Sequence, residues 1–313
     1  MINYAMLIVP STKRSPAAES KNIRALIETI TEVQLHNWVE RISVPRHFEV
    51  EPEQNRATAT WLIREFRSMG YAVERQGPFA NIVAGPDRAD RAMEEVVLIG
   101  AHYDSVPTCP GADDNGSAVA ALLGCAAACA LWRPASPVVF VAFNREEDGL
   151  LGSRDFVESF LPTADFRVTC AHILEMVGYA NSEPGSQRVP TGLPIKMRDT
   201  GDFLGLLANG ISTNAMNFAL SRAETYVSDL PVIGLNIKLG LEKYFPVLGR
   251  SDHAPFWEKK TPAVMWTDTS EFRNPHYHRE SDTPDSLDYR FLRRVTQLLA
   301  ACVIQQAEEL LER

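Results

Sequence analysis

Apolar residues recur at helical spacing between Ile23 and Ile42, at Ile23, Leu26, Ile27, Ile30, Val33, Trp38 and Ile42, which predicts one amphipathic helix there. A second helical stretch runs from residue 53 to 69 and ends at Gly70. Residues 1–20 read as a strand-like or loose lead. Short apolar runs rich in β-branched residues follow near 71–76, 81–85, 95–101, 137–143 and 168–174. Between them, Asn115 to Leu131 is apolar nearly all round and predicts a buried helix, and another helix is expected after Gly152. Leu287 to Leu311 predicts a long amphipathic helix that closes against the sheet. Strands that alternate with helices predict an α/β fold of three layers, α/β/α, around a mixed, mostly parallel central sheet. No internal repeat or low-complexity linker breaks the pattern, so residues 1–313 read as a single catalytic domain with a helical lead at about 1–50.

The candidate chemistry lies where the apolar runs end. The run Val96–Ala101 delivers His102 and Asp104, two residues apart and so on one side of the strand, and Asp114 stands just before the buried helix. The run 137–143 ends in Asn144-Arg145-Glu146-Glu147, and the run 168–174 ends in Glu175. A turn-rich loop downstream carries His276, Tyr277 and His278. Taken singly, Asp114 is an ordinary helix N-cap and Glu146-Glu147-Asp148 an acidic first turn. Their recurrence at successive strand ends, where α/β sheets bind ligands, favours a metal site. His102, Asp114, Glu147, Glu175 and His278 make a mixed imidazole and carboxylate set without thiolate, which suits catalytic rather than structural zinc. Five donors suit two ions if one carboxylate bridges. Asp114 is the natural bridge, with His102 and Glu175 on one ion, Glu147 and His278 on the other, and Glu146 free to act as a base.

In order and spacing, His102-x-Asp104, Gly111 to Ser117, Glu146 to Ser153, Glu175 to Gly178, Arg250 to Phe256 and Tyr277-His278 resemble the co-catalytic di-zinc aminopeptidase family, whose fold glutaminyl cyclases share. The resemblance covers about Glu53 to the C-terminus. It implies a zinc-peptidase or phosphorylase-like fold and hydrolysis of the N-terminal amide bond of a peptide, or of a small amide with a free amine, by a metal-bound hydroxide. It further implies Glu146 as general base, Asp104 orienting His102, and Tyr277 donating to the oxyanion. Two Zn2+ per chain are expected, with Mn2+ or Co2+ accepted by the same donors. One departure is Glu175, where the best-studied branch usually has Asp; the longer side chain is still expected to bind. Two other readings stand beside this one. A glutaminyl cyclase on the same scaffold lets the α-amine attack a side-chain amide, and a non-catalytic binding module keeps only the fold.

The remaining candidates are weighed against plainer roles. Arg250 reads equally as a substrate anchor or a salt-bridged turn residue, and Tyr179 and Phe272 equally as pocket wall or core. His253, His276, His36, His47 and His172 read as structural. The polar loops at 181–192 and 240–250 are expected to form a rim that sets substrate size. A net charge of −9 argues against nucleic-acid or anionic-membrane partners, and no apolar run is expected to span a bilayer. Five cysteines without framework spacing argue against disulfides, Cys125 and Cys129 read as small hydrophobes, and Cys109 lies near the site loop. The short apolar stretch Ala5–Val9 lacks a basic segment ahead of it, so a cytoplasmic location is expected.

Overall fold

The computed structural model describes residues 6–87, 95–133 and 135–313. Among them, nine strands form one sheet: β1 (Met6–Pro10), β2 (Ala72–Gln76), β3 (Asn81–Gly85), β4 (Glu95–His102), β5 (Val138–Phe143), β6 (Arg167–Glu175), β7 (Leu204–Ala208), β8 (Val232–Ile237) and β9 (Ala263–Thr267). Their order is β1-β8-β7-β9-β6-β4-β5-β3-β2. The centre, β5-β4-β6-β9, is parallel. β7 runs antiparallel to β9, and β1, β2 and β3 pair antiparallel toward the edges. The central strands are the near-continuous apolar runs, as expected of strands buried on both faces.

Eight α-helices among the described residues flank the sheet: α1 (Lys21–Glu28), α2 (Glu32–Ile42), α3 (Pro52–Ser68), α4 (Ala118–Trp132), α5 (Leu151–Asp155), α6 (Thr213–Tyr226), α7 (His253–Glu258) and α8 (Tyr289–Leu311). Side chains alternate along β4, so Val97, Ile99 and Ala101 join the core under α1, α2, α4 and α8, while Val96 and Leu98 join a second core that includes Phe156 and Phe256. Three layers result. The parallel register sets the carboxyl ends of β4, β5 and β6 side by side, which positions the site.

The single helix expected over Ile23–Ile42 is two. Thr31 caps the second by accepting a hydrogen bond from Gln34 N, and Val33, counted as an inward position, is exposed. The buried helix begins at Ala118 rather than Asn115, because Asp114 and Asn115 depart from helical backbone angles. The lead carries β1, which pairs with β8; its first five residues lie outside those described. Contrary to expectation, Ala112–Trp132 is apolar and long enough to cross a bilayer by length and composition, yet 78% of its most apolar window is buried inside the protein, as in a core helix.

Candidate active site

Each functional side chain is delivered by a strand end and fixed by a local tie. His102 closes β4 beside Phe143 of β5, and one step back Ala101 sits beside Leu174 of β6, so Glu146, Glu147 and Glu175 emerge at the same end. Gly111 has φ 61°, and a Cβ there would lie 2.3 Å from the Asp114 carbonyl oxygen; only glycine lets the loop turn so tightly. Arg46, wholly buried, donates to the carbonyl oxygens of Ile42, Tyr103, Pro110 and Gly111. Asp282 accepts from the N–H groups of Asp113 (2.9 Å) and Asp114 (3.1 Å). The Asn115 side chain donates to Leu174 O and accepts from Met176 N, tying this loop to the end of β6. Gly152 lets α5 press against β5, since a Cβ would stand 2.1 Å from Asn144 O.

The carboxylate of Asp114 faces two histidines. Its Oδ1 lies 3.4 Å from His102 Nε2 and its Oδ2 lies 3.1 Å from His278 Nε2. Each imidazole has a further carboxylate: Glu175 Oε2 is 3.5 Å from His102 Nε2, and Glu147 Oε2 is 3.3 Å from His278 Nε2. Glu146 Oε2 stands 3.9 Å from His102 Nε2. Behind His102, Asp104 Oδ1 lies 3.4 Å from Nδ1, and the two Asp104 oxygens accept from Glu146 N and Glu147 N. Ser251 Oγ donates to Glu175 Oε2 at 2.7 Å.

Burial and like charge govern the acidity. Burial holds Glu146 well above the ordinary carboxylate value; His102 opposes this, while Glu175, Glu147 and Asp252 reinforce it. Glu147 is pushed up to about 7 by burial and by Asp114. Burial would raise Asp114 as well, but the His102 and His278 imidazoles beside it outweigh this and hold the group below the usual range. Burial lowers the His278 imidazole, yet Asp114 and Glu147 overcome this and raise it to about 10. Such a cluster of buried acids around two imidazoles is what a cation would neutralise.

The donors fit metal ions. His102 Nε2, Asp114 Oδ1 and Glu147 Oε1 are buried without a hydrogen-bond partner, where buried polar atoms ordinarily have one. Two overlapping groups, His102 with Glu146 and Glu175, and His102 with Asp114 and Glu147, bring their donor atoms within 4.8 Å of one another. The separations of 3.1–3.5 Å match the edge of about 3.3 Å expected between donors around tetrahedral zinc.

The structure gathers His102, Asp104, Asp114, Glu146, Glu147, Glu175, Tyr277 and His278 at one place. Tyr277 OH accepts from Arg250 Nη2 at 3.0 Å, and Arg250 is also paired with Glu271. Both Tyr277 and Arg250 line a cavity of about 500 Å3 that Asp114, Glu146, Glu147, Glu175 and His278 also line. Phe272 is in its wall; Tyr179 is not, its backbone N–H bonding Asp268 and its ring resting on His276. Both polar loops contribute to the cavity, through Gln187 and Arg188 and through residues 247–250. His253 bonds Leu248 O and His276 pairs with Ser281, both away from the donors. Sequence reading missed Arg46, Asp282 and Asp252. The last is wholly buried beside the donors, neither oxygen has a hydrogen-bond partner, and burial pushes it up to about 7. Its only signal was its place in the Arg250–Phe256 motif.

The sequence pattern of peptidase family M28 matches residues 81–303. Uncharacterized protein YfbL of Escherichia coli is 33% identical over 306 residues, covering 92% of this chain and 88% of YfbL. Aminopeptidase YwaD of Bacillus subtilis is 27% identical over 69% of this chain, which spans only 42% of YwaD. Among solved structures, the LapA aminopeptidase of Legionella pneumophila superposes with a TM-score of 0.72 at 19% identity, over 94% of this chain and 75% of LapA. Porphyromonas gingivalis glutaminyl cyclase does so at 0.64 and 18%, over 88% of this chain and 99% of the cyclase. At such identities the structural likenesses speak for the fold, whereas the family match spans the stretch from His102 to His278 and the YfbL relationship covers 92% of this chain. The chain belongs to peptidase family M28.

Proposed function

We propose that the protein is a di-zinc aminopeptidase that hydrolyses the first amide bond of a peptide, or of a small amide, bearing a free α-amine. One observation carries the reading: the two oxygens of Asp114 each face a different imidazole, and each imidazole has its own further carboxylate. The YwaD relationship supports the same activity. His102, Glu175 and Asp114 would hold one ion, and His278, Glu147 and Asp114 the other; manganese or cobalt suits these donors too. When bound, the ions supply Lewis acidity toward the scissile carbonyl and lower the pKa of water.

The side chains of this chain do the rest. Glu146, buried and with a raised proton affinity, takes a proton from the attacking water on Oε2 and passes it to the nitrogen as the C–N bond breaks. Arg250 donates to the Tyr277 oxygen, leaving the phenol's own hydrogen free for the oxyanion. Burial and Asp114 raise the Tyr277 pKa, so that hydrogen is present at neutral pH. Asp104 fixes the His102 ring and the backbone that carries Glu146. A cytoplasmic setting is supported by the five unpaired cysteines.

The test is mass spectrometry of pooled peptides, with free and acetylated N-termini and one beginning with Gln, after incubation with zinc-loaded protein. Loss of the first residue from free N-termini alone is expected. Loss of ammonia from the Gln peptide would assign a cyclase instead, and release of residues from acetylated peptides would overturn the requirement for a free amine.

A further inference from the structure

The cavity above the donors reaches much farther than an aliphatic side chain of a peptide. Its floor is one face of the sheet: Met265 on β9, Leu207 on β7, Leu235 on β8 and Ile8 on β1 all line it. From Glu175 at the end of β6 to β1 there are four strand-to-strand steps, on the order of 19 Å at the usual spacing. The opposite face of the same strands packs under α6, where Leu206, Val264 and Met216 belong to the main core. Leu193 and Ile195, just after the first rim loop, and Val247 of the second also line the cavity. Ile8, Leu235 and Met265 stay half-buried, an apolar surface that an occupant would cover.

The cavity is also polarised. Arg250, Tyr277, Gln187 and Glu271 belong to loops at the donor end, whereas the β8 and β1 end is hydrocarbon. The backbone of β8, β7 and β9 is engaged in sheet pairing on both sides, and that of β1 on the side that faces β8. A peptide backbone drawn into the far end would therefore bury N–H and C=O groups without partners. A hydrocarbon meets no such penalty and gains from every buried methylene.

We propose that the site takes 2-aminoacyl amides whose first residue carries a long apolar arm, lipid-like in length, lying along the sheet from the donors toward β8 and β1. This rests on the aminopeptidase reading for the scissile bond, but the apolar groove makes its own prediction about binding. Two series run from norvaline to 2-aminododecanoic acid: the p-nitroanilides for hydrolysis by zinc-loaded protein, and the free amino acids for calorimetric binding. Both kcat/KM and affinity are expected to climb past leucine length by up to about fourfold per added methylene. In Leu235→Trp, which narrows the far end, the advantage of the longest arms over leucine is expected to disappear; Ile233→Phe repeats the test should that variant misfold, and the unaltered protein's profile decides by itself.

A kcat/KM that peaks at leucine length, with affinity flat beyond it, overturns the inference and leaves the aminopeptidase reading standing. Binding that tightens with length and is lost in Leu235→Trp, without hydrolysis of any member, supports the long-arm groove and overturns the hydrolytic reading. Neither hydrolysis nor length-dependent binding overturns both.

Discussion

Asp113 and Asp114 are neighbours in sequence, both buried, and belong to two acidic clusters with opposite character. Asp113 accepts from Gly178 N and from the Asn274 side chain, and its partners Asp268 and Asp282 are likewise occupied by backbone N–H groups, of Tyr179 and Ser270, and of Asp113 and Asp114. Burial and the adjoining Asp113 hold Asp268 well above the ordinary value. Asp114 instead faces two imidazoles across a cavity, with Oδ1 unsatisfied. Composition does not separate the two clusters. What separates them is where the hydrogen bonds go: a buried acid satisfied by backbone is a fastener, and one left open beside imidazoles is a binding site.

The sharpest way to break this distinction is Asp114→Ala. Removing the group that faces both imidazoles should cost both ions, so metal content by plasma mass spectrometry falls toward zero and turnover with it; full retention of two ions would deny Asp114 a bridging role. Glu146→Gln should come next. It removes a proton carrier while sparing the proposed ligands, so metal content stays at the parent level and kcat falls about 10²–10⁴-fold. Parent activity in that variant would remove Glu146 from its role as base.

The open cluster was the more legible of the two because its geometry follows from strand order. Apolar runs ending in His102, Glu147 and Glu175 predict strands, and parallel pairing then brings their ends together. The closed cluster was not legible, because Asp282 and Asp268 act through backbone N–H groups that any residue supplies. Arg46 was invisible for the same reason: its guanidinium bonds only to carbonyl oxygens. The break between α1 and α2 is masked because apolar Val33 fills the helical position after Ile30, although Val33 is exposed and the buried series steps from Ile30 to Leu35 across the Thr31 cap. Whether Tyr179 lines the wall could not be read, because an aromatic after a strand end carries no sign of which way it turns.

Ser251 tests how far the open cluster extends. Its hydroxyl donates to Glu175 Oε2 at 2.7 Å, a contact that would orient a proposed ligand from outside. Ser251→Ala is expected to weaken the ion on the His102 side about 10–100-fold in a chelator competition. Turnover at saturating zinc should stay within a few-fold of the parent. Loss of the His278-side ion to the same degree would mean that the two halves are not separately organised.

Asp282→Asn probes the closed cluster and should be the mildest for the chemistry. Asparagine keeps one acceptor but turns an NH2 toward a backbone N–H of Asp113 or Asp114, leaving a buried donor unsatisfied at about 1–3 kcal/mol. For a chain of this length that corresponds to a fall in Tm of roughly 2–5 °C. Metal content should stay at the parent level, because the Asp114 carboxylate itself is untouched and the loop is still held by Arg46 and Asn115. If Asp282→Asn instead stripped the metal as completely as Asp114→Ala, the fastener and the site would be one unit, and the satisfied carboxylates would have to be counted as part of the metal centre.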